Sequence, residues 1–317
     1  MGMTLRTKGK HGYNVKFSPF FPNIIACCAC ENFGISGGGS LFIFDHSSGI
    51  LLSEHPWKDG LFDVTWSELN ENIVITGSGN GSIQFWDINL KVKLKLTNDI
   101  YNKQSVCSLD WSQTRAEQYL LSSSWDKTVK VWDTEKFICL STYSSQRNYV
   151  NCVTWSPHFP GCFASVSGDG MMRIWDLKQP NYPGSQFQAH STDVLSCDWC
   201  KYNKNIIATG GADGLIRGWD IRHAQQPVFQ LTGHKYAVRR VKFSPTEESI
   251  LYSVSYDLIT GIWHWDNYLP IHAISNHREF VYGLDCNAHV PQQIADCGWD
   301  ETVVVFKVPA PPQIVNN

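Results

Sequence analysis

The chain has 317 residues, of which 43% are hydrophobic, and its 26 basic and 29 acidic side chains give a formal net charge of −3. Because the two signs are mixed along the sequence without a basic patch, binding of DNA or RNA is disfavoured. The chain has no run of 18 apolar residues and no apolar segment of the signal-peptide type near its start. We therefore expect a cytosolic protein without direct membrane insertion.

The eleven cysteines are odd in number and irregularly spaced. Several lie within apolar runs, where any small hydrophobic residue would serve. This pattern favours free thiols in a reducing compartment over a disulfide framework. The group Cys27-Cys28-Ala29-Cys30 has no second ligand pair at zinc spacing. We expect neither a metal ion nor a cofactor.

An aromatic residue recurs along the chain at nearly equal intervals of 42, 46, 43, 44, 44 and 43 residues. The positions are Phe44, Trp86, Trp132, Trp175, Trp219, Trp263 and Phe306. Six such steps indicate one supersecondary unit repeated seven times, and a period of this length is typical of the blades of a WD40 propeller. The sequence therefore predicts an all-β, seven-bladed WD40 β-propeller.

The first and last segments of the chain complement each other. Thr4-Leu5-Arg6-Thr7 precedes the first repeat, whereas the seventh repeat supplies only three strands, ending near Val308. We predict that a strand over 3–8 completes the seventh blade and closes the ring, which removes its open edges. Residues 1–308 would then form one propeller domain, followed by a short Pro-rich tail, 309–317, that cannot join a sheet.

The fifth repeat shows the four strands expected of one blade. Residues 194–199 alternate as a strand, and residues 206–209 form a second, more buried one. Asp213-Gly214 is a hairpin turn, because this pair readily adopts positive φ. Residues 215–220 and 227–231 are the third and fourth strands.

Two repeats carry a histidine, a hydroxyl residue, the turn aspartate and the tryptophan at constant spacing. The sets are His190, Thr209, Asp213, Trp219 and His234, Ser253, Asp257, Trp263. In WD40 proteins, which this chain resembles, these four groups hydrogen-bond to one another. A His–Asp–Ser grouping also resembles a hydrolase triad, but recurrence in several blades favours a structural role that satisfies buried polar atoms. We expect no enzymatic activity.

Candidate binding residues fall on one rim of the predicted propeller. The positions before the turn aspartates include the large aromatic residues Trp125, Tyr256 and Trp299. The loops entering the first strands add Asp59, Tyr149, Asp193, Tyr236, Glu279 and Phe280. Aromatic residues are favoured interface anchors. Together with three acids they predict binding of a short amphipathic helix that carries a cation.

Several stretches resemble one particular family of WD40 proteins, the receptors for the type-2 peroxisomal targeting signal. Among them are Asp59-Gly60-Leu61-Phe62-Asp63-Val64-Thr65-Trp66-Ser67, Leu195-Ser196-Cys197-Asp198-Trp199-Cys200-Lys201-Tyr202-Asn203 and Tyr236-Ala237-Val238-Arg239-Arg240-Val241-Lys242-Phe243-Ser244-Pro245. The resemblance extends from about residue 3 to residue 307. It implies an import receptor that shuttles between the cytosol and the peroxisome and captures matrix enzymes such as thiolase through an N-terminal Arg-Leu-x5-His-Leu helix. A co-receptor, in animals and plants the long form of the type-1 signal receptor, would bring it to the peroxisomal docking complex.

The resemblance also implies roles for the rim residues. Asp59, Asp193 and Glu279 become candidates for the signal's arginine and histidine, and the three rim aromatics become candidates for its leucines. Ser105 stands where an acid often lies in the family. The alternative function is that of a substrate adaptor for a cullin-RING ubiquitin ligase, because Trp219-Asp220-Ile221-Arg222 fits the Trp-Asp-x-Arg docking box.

Overall fold

The structure is a computed structural model that describes residues 2–89, 92–94, 102–113, 118–144 and 146–308. The predicted tail, 309–317, lies outside these residues. The described chain forms seven four-stranded antiparallel sheets, the blades. Blade 1 contains β2 (His11–Phe17), β3 (Ile24–Cys30), β4 (Gly39–Asp45) and β5 (Ile50–Trp57). Blade 2 contains β6 (Leu61–Trp66), β7 (Ile73–Ser78), β8 (Ile83–Asp87) and β9 (Val92–Leu94).

The next three blades repeat this order along the chain. Blade 3 contains β10 (Val106–Trp111), β11 (Tyr119–Ser124), β12 (Val129–Asp133) and β13 (Ile138–Tyr143). Blade 4 contains β14 (Val150–Trp155), β15 (Cys162–Ser167), β16 (Met171–Asp176) and β17 (Ser185–Gln188). Blade 5 contains β18 (Val194–Trp199), β19 (Ile206–Gly211), β20 (Ile216–Asp220) and β21 (Phe229–Leu231).

The last two blades use both ends of the described chain. Blade 6 contains β22 (Val238–Phe243), β23 (Ile250–Ser255), β24 (Thr260–His264) and β25 (Leu269–Ile274). Blade 7 contains β26 (Val281–Cys286), β27 (Gln293–Gly298) and β28 (Thr302–Lys307), and its fourth strand is β1 (Met3–Arg6). β1 is antiparallel to β28, with Met3 opposite Val305 and Leu5 opposite Val303. The prediction of a seven-bladed propeller closed by an N-terminal strand is confirmed.

Apolar side chains fill the spaces between blades. The first strands of successive blades contact one another around a complete circle, from β2 through β26 and back to β2. Between blades 3 and 4, for example, Trp155, Phe163 and Trp175 form one buried cluster with edge-on and stacked ring contacts. The periodic tryptophans therefore belong to this core, where burial of each large ring stabilises the contact between two sheets.

Every first strand carries an irregularity in pairing at the same place. The register of each first strand shifts by one residue against the second strand, which marks a β-bulge. The extra residues are Tyr13, Phe62, Cys107, Asn151, Leu195, Arg239 and Tyr282. A bulge re-aims a side chain, and all seven of these side chains line one cavity.

Candidate functional site

A cavity of about 660 Å³ opens at one end of the central channel. The seven bulge residues form its wall, and the turns between the second and third strands form its rim. Six of the predicted site residues line it, namely Asp59, Trp125, Tyr149, Asp193, Tyr256 and Trp299. The structure therefore brings together two of the three predicted acids and all three predicted rim aromatics.

The other three predicted residues lie in a different place. Tyr236, Glu279 and Phe280 line a second groove, of about 760 Å³, that extends over blades 5 to 7. Tyr256 borders both the groove and the cavity. Glu279 therefore does not share the central cavity with Asp59 and Asp193. We refer to these two concave surfaces as the central cavity and the side groove.

A stack of aromatic rings separates the side groove from the central cavity. Tyr282 and Trp299 are stacked with ring centroids 5.1 Å apart, and Tyr256 stacks on Phe280 at 4.8 Å. The Tyr256 hydroxyl donates to the Tyr282 hydroxyl over 2.9 Å. Of the three rim aromatics, Tyr256 and Trp299 are partly buried by this stacking. Trp125 is half exposed, at 50%.

The acids on the cavity wall are held by local hydrogen bonds. The Tyr149 hydroxyl donates to Asp193 Oδ2 over 2.6 Å, and this bond to a carboxylate raises the pKa of Tyr149 to about 12. Asp59 Oδ1 accepts from the backbone N–H of Gly60 over 2.8 Å. Both carboxylates are partly exposed. They are thus positioned to accept hydrogen bonds from a cation in the cavity.

Arg239 is a cavity residue that sequence reasoning did not identify. Its guanidinium lies over the ring of Tyr282, 4.8 Å from the centroid, and Nη1 donates to the Leu195 carbonyl over 3.4 Å. The cavity therefore contains a cation on blade 6 as well as carboxylates near blades 2 and 5. Six of the seven bulge residues directly follow a buried leucine or valine that begins the first strand, whereas Tyr13 follows Gly12.

An ion pair crosses the channel between two residues that directly follow bulge residues in the chain. Arg240 Nη2 lies 3.4 Å from Asp63 Oδ1, and both side chains are buried. Asp63 also accepts from the backbone N–H of Leu109 over 2.6 Å and from the Asn14 side chain. Because blades 2 and 6 lie on opposite sides of a seven-membered ring, this pair connects distant parts of the wall.

The two predicted polar networks have the following geometry. His190 Nδ1 lies 2.9 Å from Asp213, and its Nε2 lies 2.9 Å from the Thr209 hydroxyl oxygen. The Trp219 indole donates to the same hydroxyl oxygen over 3.0 Å. Burial lowers the pKa of His190, so this imidazole is neutral near pH 7. The corresponding distances around His234 are 2.9 Å to Asp257 and 2.7 Å to Ser253, and the Trp263 indole lies 2.7 Å from Ser253.

Blade 7 contains a third network with a different charge. His277 lies 3.0 Å from Asp300 and 3.0 Å from Asp296, which stands where the two networks above have Thr209 and Ser253. Burial disfavours the charged imidazole, but hydrogen bonds to the two carboxylates raise the pKa of His277 to about 10. The Thr260 hydroxyl donates to Asp296 over 2.6 Å and so links blade 6 to blade 7.

The features that suggested other functions lie outside the central cavity. Trp219–Arg222 spans the last two residues of β20 and the start of the turn after it, at the opposite end of the propeller, where Arg222 pairs with Asp220 over 2.6 Å. All eleven cysteines are free thiols. Among the residues that the structure describes, no three His, Cys, Asp or Glu side chains are grouped so that they could hold a metal ion.

Comparison with known proteins gives the family. The model "WD domain, G-beta repeat" matches residues 47–87, 95–133, 137–176, 181–220 and 225–264. The chain is 47% identical over 308 residues, 96% of each chain, to the "Peroxisomal targeting signal 2 receptor" of Mus musculus. It belongs to the family of peroxisomal targeting signal 2 receptors. Family members from Arabidopsis thaliana ("Peroxisome biogenesis protein 7") and Saccharomyces cerevisiae are 36% and 29% identical, over 94% of this chain and 95% and 97% of theirs.

Proposed function

We propose that this protein is an import receptor whose central cavity binds the N-terminal type-2 peroxisomal targeting signal of matrix proteins, a helix of Arg-Leu-x5-His-Leu type. The observation that carries the proposal is that Asp59 and Asp193 line the same aromatic cavity as Trp125, Tyr256 and Trp299. Such a surface complements an amphipathic helix with leucines along one stripe and a basic group beside them. The names of the relatives support the same ligand.

The size of the cavity fits one face of the ligand. A nine-residue helix is about 14 Å long, and a volume of about 660 Å³ lies within the usual range of ligand pockets. The cavity therefore accommodates several side chains, while the opposite face of the helix stays outside. The acids receive the signal's arginine and histidine, and the rim aromatics pack against its leucines.

The side groove extends the contact beyond the helix face. The exposed side chains of Tyr236, Glu279 and Phe280 line this groove. They contact the part of the bound targeting signal that extends beyond Tyr256. Two or three buried leucines contribute about 1.5–3 kcal/mol each, and one charged hydrogen bond contributes about 1.5–3 kcal/mol. After the cost of ordering the partners, these terms correspond to an affinity in the micromolar range or tighter.

The proposed receptor works in a sequence of binding steps. It captures matrix enzymes such as thiolase in the cytosol and then reaches the peroxisomal docking complex with a co-receptor, the long form of the type-1 signal receptor or its equivalent. Family membership supports this sequence. No helix in the described part of the chain is long and apolar enough to cross a bilayer.

The direct test is fluorescence anisotropy with a labelled Arg-Leu-x5-His-Leu peptide and a scrambled control. Wild type binds the signal and not the scrambled peptide. Replacing one acid in the cavity and one in the side groove, Asp59→Lys with Glu279→Lys, abolishes binding and leaves the melting temperature unchanged, because both side chains are accessible to solvent. Wild-type affinity in this double variant would remove both acids from the site.

A pull-down separates this function from that of a ubiquitin-ligase adaptor. Recovery of thiolase and the co-receptor supports the import receptor, whereas recovery of cullin components supports the adaptor. The matched variant is Arg222→Ala, which removes the exposed arginine of the Trp-Asp-x-Arg box at the end opposite the cavity. Loss of cullin recovery in this variant, with thiolase recovery unchanged, would assign the box a role of its own.

A further inference from the structure

The turn between the second and third strands is much longer in blade 1 than elsewhere. Residues 31–38 separate β3 from β4, whereas residues 79–82 and 256–259 make the corresponding connections in blades 2 and 6. We call residues 31–38 the blade 1 loop. It replaces the short hairpin turn at the rim and places Phe33, Gly34 and Ile35 on the wall of the central cavity.

The blade 1 loop is fixed by specific contacts. The Tyr13 hydroxyl donates to the Phe33 carbonyl over 2.6 Å, and the Phe33 ring stacks on His11 at 3.9 Å. Glu31 Oε2 accepts from the Gly38 backbone N–H over 2.9 Å, and Lys10 Nζ lies 3.6 Å from the Glu31 carboxylate. These contacts anchor both ends and the middle of the loop to blade 1.

The backbone of the loop is unusual and closely packed. Asn32 and Phe33 have φ of 45° and 56°, in the left-handed region that costs energy for residues other than glycine. Gly34 has φ of 70°, and a Cβ there would lie 2.5 Å from the Tyr13 hydroxyl and 2.7 Å from Phe62. Only glycine lets the loop approach the cavity wall this closely.

The result of this packing is an apolar side chain at the mouth of the cavity. Ile35 is 86% exposed, the most exposed large hydrophobic residue in the described chain. The neighbouring Phe33 is also exposed. Folding gains nothing from leaving Ile35 in water, whereas a partner that covers it gains the burial of a whole aliphatic side chain.

We propose that the blade 1 loop is a clamp for the bound signal helix and that Ile35 packs against one of its leucines. The inference rests on the proposed function and adds a contact outside the rim positions that the repeat pattern identifies. The occupant is the apolar stripe of the helix, because Ile35 continues the aromatic wall of Tyr13 and Phe62. The cavity then holds the leucine between this wall and the clamp.

The test compares Ile35→Ser with Ile50→Ser, a matched change of another exposed isoleucine, on the outer strand β5. We expect Ile35→Ser to weaken binding of the labelled signal peptide about tenfold, the loss that accompanies one unburied aliphatic side chain. Ile50→Ser leaves binding unchanged, and both variants keep the wild-type melting temperature. With a peptide in which the contacted leucine is alanine, Ile35→Ser has little further effect.

A second pair of variants tests the position of the loop while Ile35 is retained. Gly34→Ala and Gly9→Ala place alanine at similar φ, 70° and 74°, but only the first meets Tyr13 and Phe62, whereas Gly9 has open space around it. We expect Gly34→Ala alone to weaken peptide binding. The clamp is overturned if wild type prefers the signal to the scrambled peptide while Ile35→Ser and Gly34→Ala bind as their controls do. If wild type shows no preference, the proposed function fails and the clamp fails with it.

Discussion

Asp193 is the carboxylate in the cavity whose position is best defined. The Tyr149 hydroxyl holds Oδ2 at 2.6 Å, which orients the group toward the cavity. We predict that Asp193→Asn weakens binding of the signal peptide about tenfold or more, because a charged hydrogen bond to the ligand's cation is lost. Fluorescence anisotropy measures the change, and Glu135→Gln, an exposed acid in a turn outside the cavity, is the control. The same loss with a peptide that lacks both basic residues would contradict the assignment.

His277 makes the stability of the protein depend on pH. Its pKa is about 10 in the folded state, compared with an ordinary value of 6.5, so the folded protein binds a proton that the unfolded chain releases. The stabilisation is complete below about pH 6.5 and is lost as the pH rises toward 10. We predict a fall of about 1–3 kcal/mol in the free energy of unfolding over this range.

The measurement is denaturant unfolding at several pH values in wild type and His277→Gln. Glutamine can still donate a hydrogen bond to a carboxylate but does not titrate. The variant should therefore be less stable at pH 7 and show a flatter dependence on pH. Parallel profiles in the two proteins would show that other groups cause the slope.

At the scale of elements, the closing strand β1 has a measurable contribution. It pairs along β28 and buries Leu5 in a cluster with Val303 and Val305. We predict that deletion of residues 1–8 lowers the melting temperature markedly, and that Leu5→Ala costs about 2–4 kcal/mol because it leaves a cavity between two sheets. Thr4→Ala, at an exposed position of the same strand, is the control in thermal and denaturant unfolding. Unchanged stability of the truncated protein would refute closure by this strand.

The repeat pattern predicts the strands because each blade has to bury the same apolar positions against its neighbours. It predicts the cavity less completely. Arg239 and Tyr282 look like ordinary strand residues in the sequence, and only the bulge in each first strand turns them into the channel. The loop positions of Glu279 and Tyr236 predict one site shared with the other rim residues, but the stack of Tyr256 on Phe280 places them in the side groove.

The blade 1 loop could be recognised only in part. Gly37-Gly38-Gly39 in the sequence indicates a turn. The positive φ of Phe33 is a strained conformation that its residue type does not favour. The contact of Gly34 with Tyr13 joins residues that are distant in the chain. No local rule predicts that such a loop bends over the channel, because its position is determined by the aromatic wall that it covers.

At the scale of the whole molecule, the pair Asp63–Arg240 joins opposite sides of the ring. We predict that Arg240→Met destabilises the protein by about 3–5 kcal/mol, since it leaves Asp63 buried without a counter-charge. Asp63→Asn in the same chain should restore part of this loss. Denaturant unfolding of the two single variants and the double variant gives the coupling energy. Strictly additive effects would mean that the two charges do not interact.

The pairing of β1 with β28 has a consequence for the synthesis of the protein. β1 finds its partner only after about 300 more residues have been made, which takes about 15–60 s at ordinary translation rates. Throughout that interval Leu5 lacks the sheet that later covers it, and the nascent chain needs protection from aggregation. A ribosome that stops before β28 therefore releases a product in which β1 has no strand to pair with.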